Sequence, residues 1–406
     1  MVVLSEDSLA LVLLASHIAL PHRHDAARPL SDLEWNSIAE RVGASTLKRP
    51  RDLLGLDADG LVAALGVDSA TARRITELTS RGGQMALELE RLESLGIWVM
   101  TRADEDYPSR LKKTLRRRAP AVLFGVGRRE LASAGGLGVV GSRDLDDDGL
   151  RYATEVGRRA AEARIGIISG GSRGADQAAM AGAMGRGGFA VGVLAEGVEK
   201  SIRDRSLREY ALEGQLCLLS PYYPGAPFRP SNAMARNKLI YCLSDRTLVV
   251  ASSSRTGGTW TGAVEALKGR WVPVFVRESD SAPAGNSLLV REGARPLTID
   301  PTSASSDFVR WLSGAAAPSN PIAPLADGAA EDLLRAAWEL ICRYLSLYRS
   351  SEEVADRFGL YLEQATMWLE RAEAAGLAVK AGDRYRVADV DESLEQQSLP
   401  LASLDS

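Results

Sequence analysis

The chain has 406 residues, of which 45% are hydrophobic and 25% are charged, and its formal net charge is −4. This length accommodates two or three domains with their own cores, and the composition is typical of a soluble globular protein. The acidic balance excludes a protein that is basic over its whole surface, so any site for a polyanion has to be local.

Residues 1–95 predict a helical N-terminal domain. The apolar run at residues 9–20 is too short to span a bilayer, and no Lys or Arg precedes it as in a signal peptide. We interpret it as a buried first helix, and we expect a cytoplasmic protein without membrane contact. Ser31 followed by Glu34 is the pattern of a capping box and predicts the start of a second helix.

The cysteines and histidines give no sign of a metal site. Cysteine occurs at 217, 242 and 342, far apart and odd in number, which favours a reducing cytosol over a disulfide framework. His17, His22 and His24 lie close together, but no cysteine or carboxylate cluster accompanies them. We therefore predict no metal.

Residues 96–315 predict an α/β domain. Short apolar runs recur along this part of the chain: "GIWVMT", "PAVLFGVG", "GLGVVGSR", "RIGIISGG", "FAVGVLAEG", "QLCLLS", "RTLVVASSS" and "WVPVFVRES". Helical stretches separate several of these runs. Alternating strands and helices predict a parallel sheet that is covered on both faces.

The rest of the chain predicts a linker, a small domain and a tail. Residues 316–331 are rich in Ala, Pro and Gly, as in a linker. Residues 332–388 predict a winged helix with a turn at Gly359. Its two later helices carry more acidic than basic residues, so we expect this domain to contact protein rather than DNA. Residues 389–406 predict an acidic tail without stable structure.

Four turns in the α/β domain predict an anion site. Each lies near the end of a predicted strand or the start of a predicted helix, where tight backbone turns and free N–H groups favour phosphate. The candidate DNA- or phosphate-binding residues are Gly141, Ser142, Arg143, Ser169, Gly170, Gly171, Arg173, Gly174, Arg236, Asn237, Lys238, Gly257, Gly258 and Thr259.

The same turns carry no motif of a nucleotide-dependent enzyme. GxxxxGK[ST] is absent, which argues against a P-loop nucleotidase, and G-x-G-x-x-G is absent, which argues against a dinucleotide cofactor. Asp176 follows the "SGGSRG" turn, and we interpret it as a first-turn or cap residue rather than a base. No catalytic residue and no cofactor is predicted.

Basic and aromatic residues accompany the turns. "RLKKTLRRR" at residues 110–118 has six Lys or Arg in nine residues. Such a run is usually a solvated helix face, and in a net-acidic chain it is also a candidate footprint for nucleic acid. Tyr222, Tyr223 and Trp260 lie near the turns and are candidates either for base stacking or for the core.

The order of several motifs resembles the DprA/Smf family of DNA-processing proteins. The similar segments are "DEDYPSRLKKTLRRRAPAVLFGVG", "VVGSR", "ISGGSRGADQAAMAGAM", "LLSPYYPGAPFRPSNAMARNKLIYCLSDRTLVVAS" and "GNSLLVREGARPL". The resemblance implies an extended Rossmann-like fold that binds single-stranded DNA and catalyses no reaction. It also implies a homodimer that protects DNA and helps to load the RecA recombinase in natural transformation. DNA contacts would come from Arg143, Arg173 and Lys238, with the glycine turns around the phosphates.

The chain departs from the family pattern at several positions. Met180 replaces a His, Met234 and Ala235 replace Phe-Pro, and "TGGTW" at residues 256–260 replaces a Ser-Gly-Ser-Leu turn. "SIRDRSLREY" at residues 201–210 replaces a Y-P-x-x-N segment. These departures leave open a nucleotide- or DNA-sensing role in a defence or mobile-element system.

One segment also resembles an enzyme family. "GGTWTGAVE" is similar to the P-G-G-x-G-T-x-x-E turn of the lysine-decarboxylase-like phosphoribohydrolases, although its Pro is absent. That resemblance would make Glu265 and Arg236 candidates for acting on the glycosidic bond of a nucleotide.

Overall fold

The computed structural model describes residues 4–20, 27–314, 341, 344–345, 347–358, 362–374 and 377–387. It forms two compact units, Met1–Ala317 and Pro318–Ser406. The predicted linker at 316–331, the predicted tail at 389–406, His22, His24 and Cys342 lie outside the described residues.

The first unit begins with helices. Before the sheet, the described residues form α1 (Glu6–Ala15), α2 (Asp32–Ala44), α3 (Ala58–Leu65), α4 (Ser69–Thr79) and α5 (Gly82–Ser94). The capping box of α2 is present as predicted, because Ser31 Oγ accepts from Glu34 N at 3.3 Å and Glu34 Oε2 accepts from Ser31 N at 2.7 Å. The first helix is buried, also as predicted. None of the helices in the described ranges combines the length and apolar character needed to cross a bilayer.

A sheet of nine strands forms the centre of this unit. The strands are β1 (Ile97–Thr101), β2 (Val122–Gly127), β3 (Leu137–Val140), β4 (Ile167–Ser169), β5 (Ala190–Val193), β6 (Leu216–Ser220), β7 (Arg246–Val249), β8 (Val274–Arg277) and β9 (Arg295–Leu297). Their order is β1-β2-β6-β5-β4-β3-β7-β8-β9. The pairs from β6 to β9 are parallel, as predicted for the α/β domain.

The sheet differs from the predicted all-parallel arrangement at one edge. There β1 pairs antiparallel with β2, and β2 pairs antiparallel with β6. Phe124, near the start of β2, lies opposite Ser220 at the end of β6. The segment that leads into β2 therefore lies at the same edge of the sheet as the carboxyl ends of the parallel strands.

Helices cover both faces of the sheet. The remaining helices of the unit are α6 (Ser109–Leu115), α7 (Asp147–Glu162), α8 (Ala175–Met184), α9 (Arg205–Leu212), α10 (Pro230–Leu243), α11 (Gly257–Gly269), α12 (Ala284–Arg291) and α13 (Asp307–Leu312). One hydrophobic cluster joins α1–α5, α7, α8 and α13 to one face, and a second joins α6, α10, α11 and α12 to the other. Val139 belongs to the first cluster and Val140 to the second, because successive strand residues point to opposite faces.

The described part of the second unit is a small α/β fold. It contains β10 (Arg349–Ser350), α14 (Ser351–Phe358), α15 (Leu362–Ala374), β11 (Ala378–Ala381) and β12 (Arg384–Val387), with strand order β10-β12-β11. Val354, Leu369 and Tyr385 are buried in its core. The helix predicted before these elements lies mostly outside the described residues, so the winged-helix assignment stays a prediction.

Candidate nucleic-acid interface

The predicted turns converge at the carboxyl edge of three adjacent strands, β4, β3 and β7. Two neighbouring cavities of about 420 and 370 Å³ lie there. The first cavity is lined by predicted site residues from the β3 turn, α10 and the start of α11, and the second by those of the β4 turn. Arg143, Ser172, Phe228 and Arg236 line both cavities. The parallel topology therefore brings together segments that are more than 100 residues apart in the chain.

Arg236 is the buried cation of this site. Only 3% of its surface is exposed, and its Nη2 donates to the carbonyl oxygen of Gly170 at 3.2 Å. Its Nε has no hydrogen-bond partner among the described residues. A buried N–H without a partner carries a desolvation penalty, and the side chain of Arg236 also lines both cavities. Arg236 is therefore the residue best prepared to meet an anion in either cavity.

Asp176, on α8, lines the first cavity together with this arginine and interacts with its charge. It is buried, and its Oδ2 accepts from the backbone N–H of Ser172 at 3.4 Å. Burial raises the pKa of Asp176 to about 6, although the nearby charge of Arg236 acts in the opposite direction. The net charge next to the cavities consequently depends on pH, since an ionised Asp176 offsets the charge of Arg236.

Two helices begin at the cavities without a side-chain cap. The N-cap residue of α8 is Gly174, which has no side chain, and that of α11 is Thr256, whose side chain accepts no cap hydrogen bond. Gly174 has a φ of +91°, and a Cβ there would lie 2.3 Å from the carbonyl oxygen of Ser142. Only glycine fits this close approach, so the turn is built for tight packing of β3 against the start of α8. The helix N-termini add a partial positive charge at the cavities.

Two exposed arginines stand at the mouth of the site. Arg173 pairs with Asp144, and the side chains are 75% and 83% exposed. The guanidinium of Arg143 lies 5.8 Å from the centre of the Phe228 ring. Both cations face solvent and are therefore free to exchange their present contacts for phosphate oxygens.

Other predicted site residues build the turns instead. Ser169 is buried and its Oγ donates to the carbonyl oxygen of Val139 at 2.6 Å. Ser142 donates its N–H to the carbonyl oxygen of Ala251 at 2.9 Å. Asn237 donates from Nδ2 to the carbonyl oxygen of Gly258 at 3.1 Å, which ties α10 to the start of α11. These hydrogen bonds fix the turns relative to the neighbouring strands and helices.

Lys238 does not line either cavity. It lies two residues after Arg236 on α10, about 200° round the helix axis, so it points away from the buried arginine. It is half-buried, and its positive charge favours the ionised form of Asp32 on α2, whose pKa burial raises. The structure thus separates a basic pair that the sequence analysis treated as one turn.

Phe228 is a site residue that the sequence analysis missed. It is 45% exposed and lines both cavities, in an irregular segment whose position no periodicity reveals. Of the aromatic candidates named from sequence, Trp260 is buried in the core. Tyr222 and Tyr223 line a different cavity, beside the N-terminal helices. An exposed ring beside an arginine is a natural surface for stacking a base.

The cavities contain neither the carboxylate of the enzyme alternative nor, among the described residues, a group of metal ligands. Glu265 is exposed on α11 and does not line the cavities. Within the described part of the chain, no group of three or more His, Cys, Asp or Glu side chains is arranged to hold a metal ion. The site accordingly offers arginines and helix N-termini for an anion and the ring of Phe228. Its buried carboxyl group, Asp176, interacts with the charge of Arg236.

Comparisons with known proteins agree on the same part of the chain. The family described as DNA recombination-mediator protein A matches residues 98–306, just over half of the chain. A putative DNA processing protein DprA of Mycobacterium tuberculosis is 29% identical over 279 residues, which cover 66% of this chain and 69% of that protein. The DNA processing protein DprA of Streptococcus pneumoniae is 29% identical over 183 residues, 44% of this chain and 64% of that protein. The X-ray structure of DprA from Streptococcus pneumoniae covers 66% of this chain and 95% of its own at 21% identity, with a TM-score of 0.50, which supports the fold.

Proposed function

Because the chain belongs to the DNA recombination-mediator protein A family, we propose that it binds single-stranded DNA at the carboxyl edge of its sheet. The observation that carries this proposal is the buried guanidinium of Arg236, whose Nε has no partner and which lines both cavities. A phosphate in either cavity would place oxygen acceptors beside this guanidinium.

The backbone of the DNA would supply most of the affinity. One phosphate would lie at the start of α8 and another at the start of α11, with Arg236 between them and Arg143 and Arg173 at the rim. Helix N-termini, backbone N–H groups and arginines recognise phosphate without regard to base. Binding should therefore be weakly sequence-specific and should weaken as salt is added.

The shape of the site favours a single strand over a duplex. The cavities are recesses between turns, and a flexible strand can bend its backbone into them. A single strand can also place an unpaired base on the exposed ring of Phe228, whereas the bases of a duplex are stacked on one another. Met234, which stands where the family pattern has Phe, is 47% exposed and extends the apolar wall of the first cavity.

We assign the protein no chemical step. An enzyme acting on a glycosidic bond would need its carboxylate at the substrate, but Glu265 lies outside the cavities. Asp176 does line the first cavity beside Arg236, but it is buried and accepts from the Ser172 backbone N–H, which suits a structural and electrostatic role. A binder also needs no cofactor.

The cellular role extends the same proposal. By its family, the protein would act as a homodimer that protects single-stranded DNA and assists the loading of RecA during DNA uptake or recombination. Support for this part is the family membership alone. The test is whether the purified protein stimulates RecA filament formation on DNA that is coated with single-strand-binding protein.

Direct binding tests the core of the proposal. Fluorescence anisotropy with a labelled oligothymidine and with a duplex of equal length, each titrated over a range of salt, should show tighter binding of the single strand and a linear loss of log affinity with log salt. Equal affinity for the duplex, or no binding at low salt, would contradict it. Incubation with nucleoside monophosphates, followed by chromatography, should release no free base.

A further inference from the structure

A second basic surface lies at the same edge of the sheet as the two cavities. A 3₁₀ turn, Arg116–Arg118, follows α6 and leads into β2. Since β2 is antiparallel to β6, this turn lies at the carboxyl edge of the parallel strands. Only β6 and β5 lie between β2 and β4 in the sheet. At about 4.8 Å between neighbouring strands, the start of β2 is therefore about 14 Å from the carboxyl end of β4, which leads into the second cavity.

Several cations of the 110–118 run already have partners. Arg110 pairs with Asp245, and Arg117 pairs with Glu40. Lys112 lies 5.2 Å from the centre of the Tyr107 ring. These three residues fasten α6 and the 3₁₀ turn to their neighbours.

The other three cations of the run are Lys113, Arg116 and Arg118, which we name the cationic strip. All three are exposed, and none forms an ion pair with another residue of the described ranges. Three uncompensated charges on one short segment of an acidic protein create a local positive potential.

The backbone at Arg116 gives an independent reason to look for a function. Its φ is +49° and its ψ is −114°, a combination that glycine adopts easily and that strains a residue with a Cβ. Nothing else in the turn requires a long side chain at this position, since the Arg116 side chain has no ion pair within the described chain. A strained position occupied by an exposed arginine is typical of a binding surface rather than of a turn optimised for stability.

Helix α10 connects the strip to the cavities. It packs against α11 on one side and against α6 on the other. Asn237 faces α11, where it bonds Gly258. Lys238 points the other way, and its charge interacts with that of Asp32. Asp32 in turn accepts a hydrogen bond from the backbone N–H of Ala121, which lies three residues after Arg118. Lys238 is therefore an intermediate cation between the cavities and the strip.

We infer that one single strand of DNA runs from the two cavities past Lys238 onto the strip formed by Lys113, Arg116 and Arg118. This inference rests on the proposed function and adds to it a direction and a longer footprint. The three strip residues are all exposed cations, so the strip would contact phosphates. A short oligonucleotide would fill the cavities alone, whereas a longer one would reach both surfaces.

The test compares two lengths of oligothymidine, about 5 and about 20 nucleotides, a range that spans common single-strand site sizes. Two strip variants are used: Arg116→Gly, and the pair Lys113→Gln with Arg118→Gln. The matched control is Arg186→Gln. Arg186 is exposed and without an ion pair in the described residues, and it follows the end of α8, about 15 Å along the helix from the cavities.

Both strip variants should bind the long oligonucleotide several-fold more weakly and bind the short one as the unchanged protein does. The salt slope for the long oligonucleotide should fall by about 0.7 for each charge removed. Arg116→Gly should also melt at the same or a higher temperature, which separates loss of charge from loss of fold. Arg186→Gln should change neither affinity.

Other outcomes overturn the inference. Unchanged affinity for the long oligonucleotide would leave the strip without a role in DNA binding. Equal losses for both lengths would place the strip inside the primary site. Failure of the unchanged protein to bind either oligonucleotide would instead refute the proposed function, and the inference with it.

Discussion

Arg236 donates to the carbonyl oxygen of Gly170 because residue 170 has no side chain. A Cβ at position 170 would lie 1.9 Å from Arg236 Nη1. The glycine of the β4 turn and the arginine of α10 are thus two halves of one feature, although 66 residues separate them. The glycine-rich turn serves to admit a buried cation to the strand end, in addition to allowing the backbone to bend.

Gly170→Ala should therefore displace the guanidinium of Arg236. Overpacking a buried contact of this kind costs about 1–3 kcal/mol of unfolding free energy. We expect the affinity for oligothymidine to fall at least tenfold, because the cation no longer lies between the cavities. Anisotropy measures the affinity, and urea unfolding measures the stability.

Gly43→Ala provides the matched control for this substitution. Gly43 lies within α2, and a Cβ there meets no atom within 4 Å. Alanine is the better helix former, so stability should rise by up to about 1 kcal/mol and affinity should not change. If Gly170→Ala bound DNA like this control, Arg236 would not be the central contact.

If Arg173 contacts DNA as proposed, Asp144 competes with the phosphates for it, because the two side chains form an ion pair. Their ion pair is exposed, so it contributes at most about 1 kcal/mol to stability. Arg173→Ala should weaken oligothymidine binding and lower the salt slope by about 0.7 without changing the melting temperature. Asp144→Asn should do the opposite and strengthen binding, since the arginine then has no competing carboxylate. A shared loss of affinity in both variants would show that the ion pair itself shapes the site.

The buried pair of Asp176 and Arg236 predicts a dependence of DNA binding on pH. The pKa of Asp176 is raised to about 6 by burial, so the carboxyl group is ionised at pH 7.5 and mostly protonated at pH 5. Protonation removes the negative charge beside Arg236, and affinity for oligothymidine should rise as the pH falls through 6. Asp176→Asn should bind more tightly at pH 7.5 and lose this dependence. A parallel rise in the variant would assign the effect to another group.

The same carboxyl group gives a stability prediction with a definite sign. Its pKa is higher in the folded state than the ordinary value of 3.8, so the folded protein binds the proton more tightly than the unfolded chain does. The free energy of unfolding contributed by this group is greatest below pH 4 and falls as the pH rises to about 6, by on the order of 3 kcal/mol. The stability of Asp176→Asn relative to the unchanged protein should increase over that range. Urea unfolding of both proteins at several pH values measures the difference.

The sequence was sufficient for the elements that local patterns specify. Apolar runs ending in glycine predicted the parallel strands and placed the turns at Gly141, Gly170 and Gly257 at one edge of the sheet. That this edge binds an anion stays a prediction. Strand direction was not predicted at β2, because pairing with β6 depends on contacts between segments far apart in the chain. The same reason hid Phe228, which reaches the cavities through an irregular loop.

One error could have been avoided from sequence. The residues Arg236, Asn237 and Lys238 were treated as one turn, but they lie on a helix that begins with Pro230. At 100° per residue, these three side chains have to point in three directions. The helical period thus predicts that Arg236 and Lys238 contact different parts of a ligand.

The C-terminal boundary of the first unit can be set by its last helix. Phe308, Trp311 and Leu312 of α13 are buried against the α/β core, and the ring of Trp311 packs edge-on against Phe275 at 5.1 Å. Arg246 Nη1 also donates to the carbonyl oxygen of Trp311 at 2.6 Å. A shortened protein has to keep α13, so it should end at or after Ser313.

A chain that ends at Ser313 should keep its affinity for single-stranded DNA and lose self-association or partner binding. In the second unit, α14 and α15 expose Glu352, Asp356, Glu370 and Glu373, a surface that repels a polyanion. The same helices expose Leu362 and Met367, which suit a protein contact better than DNA. Anisotropy should give the same dissociation constant and salt slope for the short and the full chain, and sedimentation should show a smaller assembly only for the short one. If the short chain folds, as judged by its melting transition, but no longer binds DNA, then the second unit contributes directly to the DNA contact and its assignment to protein is wrong.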